Sequence, residues 1–289
     1  MSGKMQIISL PIKLLTLLWV FSFVSGCTNN TENGTAETTS AEVQPGPATI
    51  HYSVASTHPH DVNAFTEGLL IYKGKLYEST GSPSDMPQTR SLVGEVDLKT
   101  GQITPKAELD RNKYFGEGIV FLNDKLYQLT YQTKIGFIYD AATFKQIGTF
   151  TFPSREGWGF TTDGTHLIMS DGTNQLTFLD SASLKPVKQL SVYDDRGAVA
   201  NLNELEYING FIYANIYTSP YIVKIDPGTG QVTGRLDLTS LQSDAKAKNP
   251  DALEMNGIAF DATSGNTYVT GKFWPLIYEI KFNTQPPAP

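Results

Sequence analysis

The stretch FTEGLLIYKGKLYES, residues 65–79, decides the fold, because it returns fifty residues later as FGEGIVFLNDKLYQL, residues 115–129. In both copies a carboxylate, Glu67 or Glu117, opens an apolar run, and a tyrosine, Tyr77 or Tyr127, follows ten residues on after a tight turn. Three further copies keep the count. Trp158 of GWGF lies ten before Ile168, Asn203 of LNELEY ten before Tyr213, and Asn256 of MNGIAF precedes Tyr268 with a turn two residues longer. The anchors are spaced 50, 41, 45 and 53 residues apart. A period of about 40 to 50 with several short strands in each unit is the signature of a β-propeller, in which four-stranded blades surround a channel. The remaining strands of each unit are present as VGEVDL, GFIYDA, LTFLDS, YIVKID and IYEIKF. Turns such as DLKTG (97–101) and DPGTG (226–230) supply glycine for positive φ, with Asp or Thr to bond the turn backbone.

Five copies predict an all-β, five-bladed propeller. The strand expected at 49–57, TIHYSVAST, precedes the first full copy, and the last copy is one strand short, so the N-terminal strand is expected to close the last blade. Such closure removes exposed sheet edges. Residues 49–283 then form one domain, followed by a tail at 284–289. The segment LQSDAKAKNPDAL (241–253) alone has helical composition and reads as an insertion between blades four and five, either covering the channel mouth or forming a loop.

The N-terminus reads as a targeting segment. Lys4 and Lys13 precede the apolar run LLTLLWVFSFV (14–24), which ends at Ser25-Gly26-Cys27. A basic region, an apolar stretch short for a bilayer span and a small-residue cleavage site make a secretory signal over 1–26. The sequence around Cys27 resembles a bacterial lipobox, with Cys27 as the lipid attachment point; an ordinary signal with a chance cysteine is the alternative. Residues 27–48, rich in Thr, Asn, Glu, Gly and Pro, read as a flexible tether. The expectation is an exported, membrane-anchored bacterial lipoprotein facing the periplasm or cell exterior. Cys27 is the chain's single cysteine, so it carries no intramolecular disulfide. A net charge of −7 with no basic run speaks against nucleic acid as a partner. A closed propeller has no need of a partner subunit, and a monomer is expected.

Equivalent positions in a ring of blades converge, so Glu67, Glu117, Trp158, Asn203 and Asn256 should surround one mouth of the channel. Two readings of that ring stand: groups that bond the mouth loops, or a binding site. The four histidines, His51, His58, His60 and His166, avoid the anchors. His58-Pro59-His60-Asp61 looks like a ligand cluster, but the intervening proline directs the two rings apart, and no metal or other cofactor is expected. The domain has no cysteine and no G-x-S-x-G, and no histidine stands beside the anchors to activate a serine. What remains is Glu117 in aromatic surroundings. Burial there raises a carboxyl's pKa towards neutrality and suits it to proton transfer. The glycines on either side of it are expected to permit a tight turn and the approach of a substrate; the alternative is a glutamate that caps a strand and stays ionised.

The motifs FTEGL, FGEG, GWGFTTDG with SDGT, LNELEY, IDPGTG, and NGIAFD with GKFWP, in this order and spacing, resemble the glutamine cyclotransferases of the plant and bacterial, papaya-latex type. The resemblance runs from about His60 to Phe282. It implies cyclisation of the N-terminal glutamine of peptides or proteins to pyroglutamate with release of ammonia, without the zinc used by the unrelated animal enzymes. It further implies Glu117 as general acid/base, Asn203 and Lys272 as polar groups that position the substrate or steady the oxyanion, and an aromatic pocket of Phe65, Phe115 and Trp158. The chain departs from the family pattern at Glu67, where glutamine is usual, and at Tyr131 and Tyr217, where tryptophan is usual. These three also count as substrate-binding residues, and a second carboxyl near Glu117 is expected to alter the pH profile. A non-catalytic propeller that binds peptide or sugar at the same mouth, and a cation-dependent hydrolase, are the alternatives.

Overall fold

The computed structural model describes residues 46–284. The expected signal peptide, the tether up to residue 45, Cys27 and the tail from 285 lie outside the described residues.

Two N-terminal strands, β1 (Ala48–Thr49) and β2 (Tyr52–Pro59), precede five sheets. Blade one runs through β3 (Thr66–Tyr72), β4 (Lys75–Thr80), β5 (Leu92–Val96) and β6 (Ile103–Glu108). Blade two follows with β7 (Gly116–Leu122), β8 (Lys125–Thr130), β9 (Ile135–Asp140) and β10 (Gln146–Thr151). Blade three has β11 (Phe160–Thr162), β12 (His166–Met169), β13 (Gln175–Asp180) and β14 (Pro186–Ser191), and then a small hairpin, β15 (Tyr193–Asp194) with β16 (Gly197–Ala198). Blade four is β17 (Leu202–Ile208), β18 (Phe211–Ile216), β19 (Tyr221–Ile225) and β20 (Val232–Asp237), followed by helix α1 (Thr239–Lys248). Blade five contributes β21 (Met255–Asp261), β22 (Asn266–Gly271) and β23 (Leu276–Phe282).

Each blade is an antiparallel meander, and the inner strands β3, β7, β11, β17 and β21 neighbour one another in a closed ring. The fourth strand of blade five is β2, antiparallel to β23, with His58 opposite Ile277. The chain thus closes the ring with its own first strands, as the pattern predicts. One detail differs: the closing strand occupies 52–59, and Ala48–Thr49 form a separate parallel pairing with β20 of blade four. A two-residue strand carries too little alternation to be read from sequence.

The core is divided among the blade interfaces. Apolar clusters fill the gaps between successive blades, such as Leu70, Tyr77 and Val93 against Ile119, Phe121 and Leu126 between blades one and two. Helix α1 neither covers the mouth nor stays a loop. It buries Leu241 and Ala245 in the cluster between blades four and five, with Tyr213, Trp274 and Tyr278.

The inner strands hold the device that places the anchors. In blades one, two, four and five, the pairing with the second strand skips at the anchor, between Thr66 and Gly68, Gly116 and Ile119, Leu202 and Leu205, and Met255 and Ile258. A bulge of this kind turns the extra side chain out of the strand's alternation. The residue after the anchor is glycine in four blades, and there the neighbouring inner strand comes close. A Cβ on Gly118 would stand 2.5 Å from the Trp158 carbonyl oxygen, and one on Gly159 2.0 Å from that of Asn203. Gly116 is equally confined, its Cβ position 2.8 Å from the Thr80 carbonyl oxygen. The glycines around Glu117 therefore let neighbouring blades approach; the expected tight turn and substrate approach are corrected on this point.

Candidate active site

The bulged anchors meet at one mouth of the channel around a cleft of about 180 Å³. Its lining is Phe65, Glu67, Pro83, Phe115, Glu117, Tyr131, Trp158, Asn203, Tyr217 and Lys272. The structure brings together every domain residue singled out above for a site role. Asn256 alone among the ring anchors stands behind the cleft: it is fully buried, and its Nδ2 donates to Glu67 Oε2 at 2.7 Å and to the Thr66 carbonyl at 3.1 Å.

The repeat explains the assembly. Counted from each anchor, the residue fourteen further on returns to the mouth just past the end of the second strand, and the residue two before precedes the inner strand. Tyr131 and Tyr217 are the fourteenth residues of blades two and four, and Lys272 holds that place in blade five once its longer turn is counted. The amides of Tyr131 and Tyr217 bond back to the carbonyls of Phe115 and Asn201, two residues before their anchors. The equivalents in blades one and three are glycines, and they make room for aromatic rings. A Cβ on Gly81 would overlap the Phe115 ring at 2.2 Å, and one on Gly172, at φ +79°, would meet the Trp158 indole at 2.7 Å.

Aromatic contacts shape the walls. Phe65 sits edge-on to Phe115 and Phe273, and Trp158 edge-on to Tyr217, with centroids 5.9, 5.4 and 5.3 Å apart. The Trp158 indole donates to Glu156 Oε2 at 3.1 Å, and Gln132 Nε2 donates to the other Glu156 oxygen at 3.0 Å. Glu156 escaped the sequence reading, although it stands two before its anchor, where Phe65 and Phe115 stand in their blades. Pro83 also escaped; nothing in the repeat marks it.

Two carboxyls and one ammonium face each other inside. Lys272 Nζ donates to Glu67 Oε1 at 2.8 Å and lies 4.3 Å from the Phe65 ring centre, where the π face also favours a cation. Burial pushes the Glu67 carboxyl up, the Lys272 ammonium pulls it back, and the result is about 7. Burial raises Glu117 well above the usual carboxylate range, and the Glu67 charge adds to the rise. The expected like-charge effect is therefore real but second to desolvation. For Lys272 burial works against the charge, yet Glu67 and Glu117 outweigh it and hold the amine above its ordinary value. The Glu117 carboxyl makes no hydrogen bond among the described residues. Its backbone carbonyl is pinned by Ser79 Oγ at 2.6 Å, which in turn receives Gln128 Nε2, so the free carboxyl sits on a fixed stem. Asn203 Oδ1 is buried without a hydrogen-bond partner among the described residues, at the cleft wall.

Glu204, beside Asn203, was also missed. Where the other blades place glycine after the anchor, it is buried and accepts from Ile258 N at 2.8 Å and Leu69 N at 3.3 Å, tying blade four to blades five and one. His58 and His60 do diverge as the proline implies: His58 Nε2 bonds Glu279 and His60 Nε2 bonds Glu78.

Among the described residues the arrangement offers an unbonded, readily protonated carboxyl opposite an amide and an ammonium, in a small cleft with aromatic walls. It can move one proton between two nitrogens and stabilise a developing oxyanion.

The sequence matches the family model for glutamine cyclotransferases over residues 26–282. It is 38% identical over 231 residues to a glutaminyl-peptide cyclotransferase of Arabidopsis thaliana, covering 79% of this chain and 70% of that protein. The fold superposes on the crystal structure of Myxococcus xanthus glutaminyl cyclase with a TM-score of 0.74 at 32% identity, over 83% of this chain and all of that one.

Proposed function

The chain belongs to the glutamine cyclotransferase family, and on that premise we propose that it is an acyltransferase converting the N-terminal glutamine of peptides or proteins to pyroglutamate and ammonia, with Glu117 moving the proton. The observation that carries the assignment of roles is the Glu117 carboxyl, buried beside aromatic rings and, among the described residues, free of hydrogen bonds.

The α-amine must reach the cleft neutral to attack the γ-carbonyl carbon of its own side chain. As the new C–N bond forms, the amine becomes acidic and the carbonyl oxygen takes up negative charge. Glu117, ionised at the start, accepts the amine proton. It then returns that proton to the γ-nitrogen, the old C–N bond breaks, and ammonia leaves. Lys272 supplies positive charge beside the oxyanion, where exclusion of water strengthens it. Asn203, with its unpartnered Oδ1, holds a substrate N–H. Phe65, Phe115, Tyr131, Trp158 and Tyr217 fold the terminal side chain back on its amine. Ring closure within one residue depends mainly on such orientation.

The test is ammonia release from a Gln-initiated dipeptide, followed for the wild type and Glu117→Gln, with and without a strong chelator. The expected result is wild-type release that survives chelation, and a variant slower by about 10²- to 10⁴-fold with unchanged folding. Near-normal turnover in Glu117→Gln would remove that residue from the mechanism. We further propose that the protein is an exported monomer held on a membrane through lipid at Cys27. The lipobox-like sequence supports this, and labelling by a fatty acid precursor that persists in Cys27→Ala would refute it.

A further inference from the structure

We propose that His60 is a positioning residue for this reaction, clamping the two segments that carry Glu67 and Lys272; this rests on the roles given to those residues above.

His60 follows the closing strand β2 and has no place in the repeat. Its ring is fully enclosed, and both nitrogens have acceptors. Nδ1 donates to the Trp274 carbonyl at 2.7 Å, and Nε2 faces both oxygens of Glu78, at 3.2 and 3.1 Å. A carbonyl and an ionised carboxylate accept only, so the ring satisfies both partners together when it carries both protons as an imidazolium. Burial acts to lower its pKa, but the charge and hydrogen bond of Glu78, the Trp274 carbonyl and the charge of Asp61 outweigh it, and the net shift is upward. Glu78, on β4, and Asp61, next in the chain, are the charged groups that act on the ring.

Each end of this pair touches the active site within two residues. Glu78 Oε1 also accepts from Thr66 Oγ1 at 2.8 Å, and Thr66 is the chain neighbour of Glu67; its own carbonyl holds Asn256, which bonds the Glu67 carboxyl. Trp274 ends the segment Gly271-Lys272-Phe273, in which Phe273 is held at φ +60°. A phenylalanine in that region is strained and persists only where its surroundings impose it. From the His60 side it is imposed by the His60 bond to the Trp274 carbonyl, by that from His60 N to the Pro275 carbonyl and by that from Phe273 N to the Ala64 carbonyl; from the other side Asn249 Nδ2 donates to the Phe273 carbonyl at 2.7 Å, and the Lys272 backbone bonds Leu253 and Glu254. Losing the His60 ring removes the one side-chain clamp that the Lys272 segment and the Glu67 strand share, and loosens both at once, while the backbone bonds of Lys272 to Leu253 and Glu254 remain. Because the shift is upward, the clamp is complete below the ordinary histidine value of about 6.5 and is lost as pH rises through the folded value.

The experiment compares wild type, His60→Gln and His58→Gln, all full length, well below their melting temperatures. His58→Gln breaks the pairing with Glu279 on the same closing strand, away from the cleft, and serves as the control for weakened closure. Lys272 lowers the pKa of both Glu67 and Glu117, so its displacement must raise them. In His60→Gln, kcat is expected to fall about tenfold or more, as small misplacements do, and the acidic limb of the kcat/KM profile to move to higher pH. His58→Gln should leave that limb in place. A limb in His60→Gln that superimposes on the wild type overturns the proposal, whatever happens to stability. If His60→Gln does not fold, Thr66→Val, which cuts the link from Glu78 to the Glu67 strand, must show the same upward movement, and an unmoved limb overturns the proposal. Carboxyl ¹³C titration of Glu67 in these proteins reads the same movement without turnover, so an inactive wild type would refute the proposed function while still deciding the role of His60.

Discussion

Replacing Lys272 by methionine removes one charge from a buried pair and keeps most of the apolar stem. The two side chains are 6% and 3% exposed and meet at 2.8 Å. Without the ammonium, Glu67 retains only Asn256 Nδ2 at 2.7 Å. Stripping one partner from a buried ion pair typically costs about 3–5 kcal/mol, because the remaining charge is left uncompensated. A carboxyl escapes that cost by binding a proton, and this fixes the sign of the pH dependence. Glu67 stands at about 7 with Lys272 pulling it down, so in the variant it must lie higher. The folded variant holds that proton across a window opening near the unfolded value of about 4.3, and the unfolded chain does not, so stability falls as pH rises through the window. In the wild type the Glu67 contribution to this decline ends at about pH 7. Each pH unit above 7 adds at most about 1.4 kcal/mol, so the loss relative to wild type should be small at pH 5 and approach about 2–3 kcal/mol at pH 9. At about 2–4 °C per kcal/mol for a domain of this size, that is a fall in Tm of about 4–12 °C. Thermal unfolding followed by circular dichroism at pH 5, 7 and 9 reads it. The double variant Lys272→Met/Glu67→Gln, with no charge left to bury, should recover most of the loss at pH 9. A deficit independent of pH, or a double variant no more stable than the single one, would refute the reasoning.

Glu67→Gln should keep turnover while moving the acidic limb of the pH–rate profile down, because Glu117 loses the repulsion of a neighbouring carboxylate and keeps the attraction of Lys272; an unmoved limb would uncouple the two carboxyls. Glu206, on the inner strand of blade four, accepts from Phe260 N at 2.8 Å and is pushed by burial to about 8. Its raised value means that stability falls as pH rises from about 4.3 through about 8, so Glu206→Gln should flatten the decline and exceed the wild type in Tm at pH 9. Parallel melting curves for the two proteins from pH 5 to 9 would contradict that assignment.

The repeat made most of this legible. A count of ten between Glu67 and Tyr77, repeated around the chain, is enough to place the inner hairpins and hence the anchors. A second count, fourteen from each anchor, places Tyr131, Tyr217 and, after the longer turn, Lys272 at the same mouth. Glu156 was there to be found by counting two back from Trp158; it went unread because its blade has glutamate where blades one and two have phenylalanine, and only the indole hydrogen bond reveals its use. Other features have no local signal. The bulges that turn Glu67 and Glu117 out of their strands are pairing properties and need the partner strand to be seen. The glycines beside Glu117 suggest conformational freedom, yet they face carbonyls 40 or so residues away in sequence. His60 looked like half of a metal site because its true partners, Glu78 and the Trp274 carbonyl, are 18 and 214 residues distant.

What Glu67 does to the site follows from charge alone. One ammonium, Lys272, serves two carboxyls that are both buried, and both resist ionisation for that reason. Had the position carried an amide, Lys272 would be free to act on Glu117 alone, and Glu117 would lose its proton readily. With Glu67 present, the first proton to leave comes from a pair and not from either residue. The proposed mechanism uses Glu117 as a base, and it also needs the substrate amine neutral, whose ordinary value is about 7.7–8.0. Both requirements are met by losing protons, so they compound on the acidic side. A carboxyl in place of an amide at position 67 thus narrows the conditions under which the proposed proton path is open, with the hold of Lys272 on Glu67 setting where that opening falls.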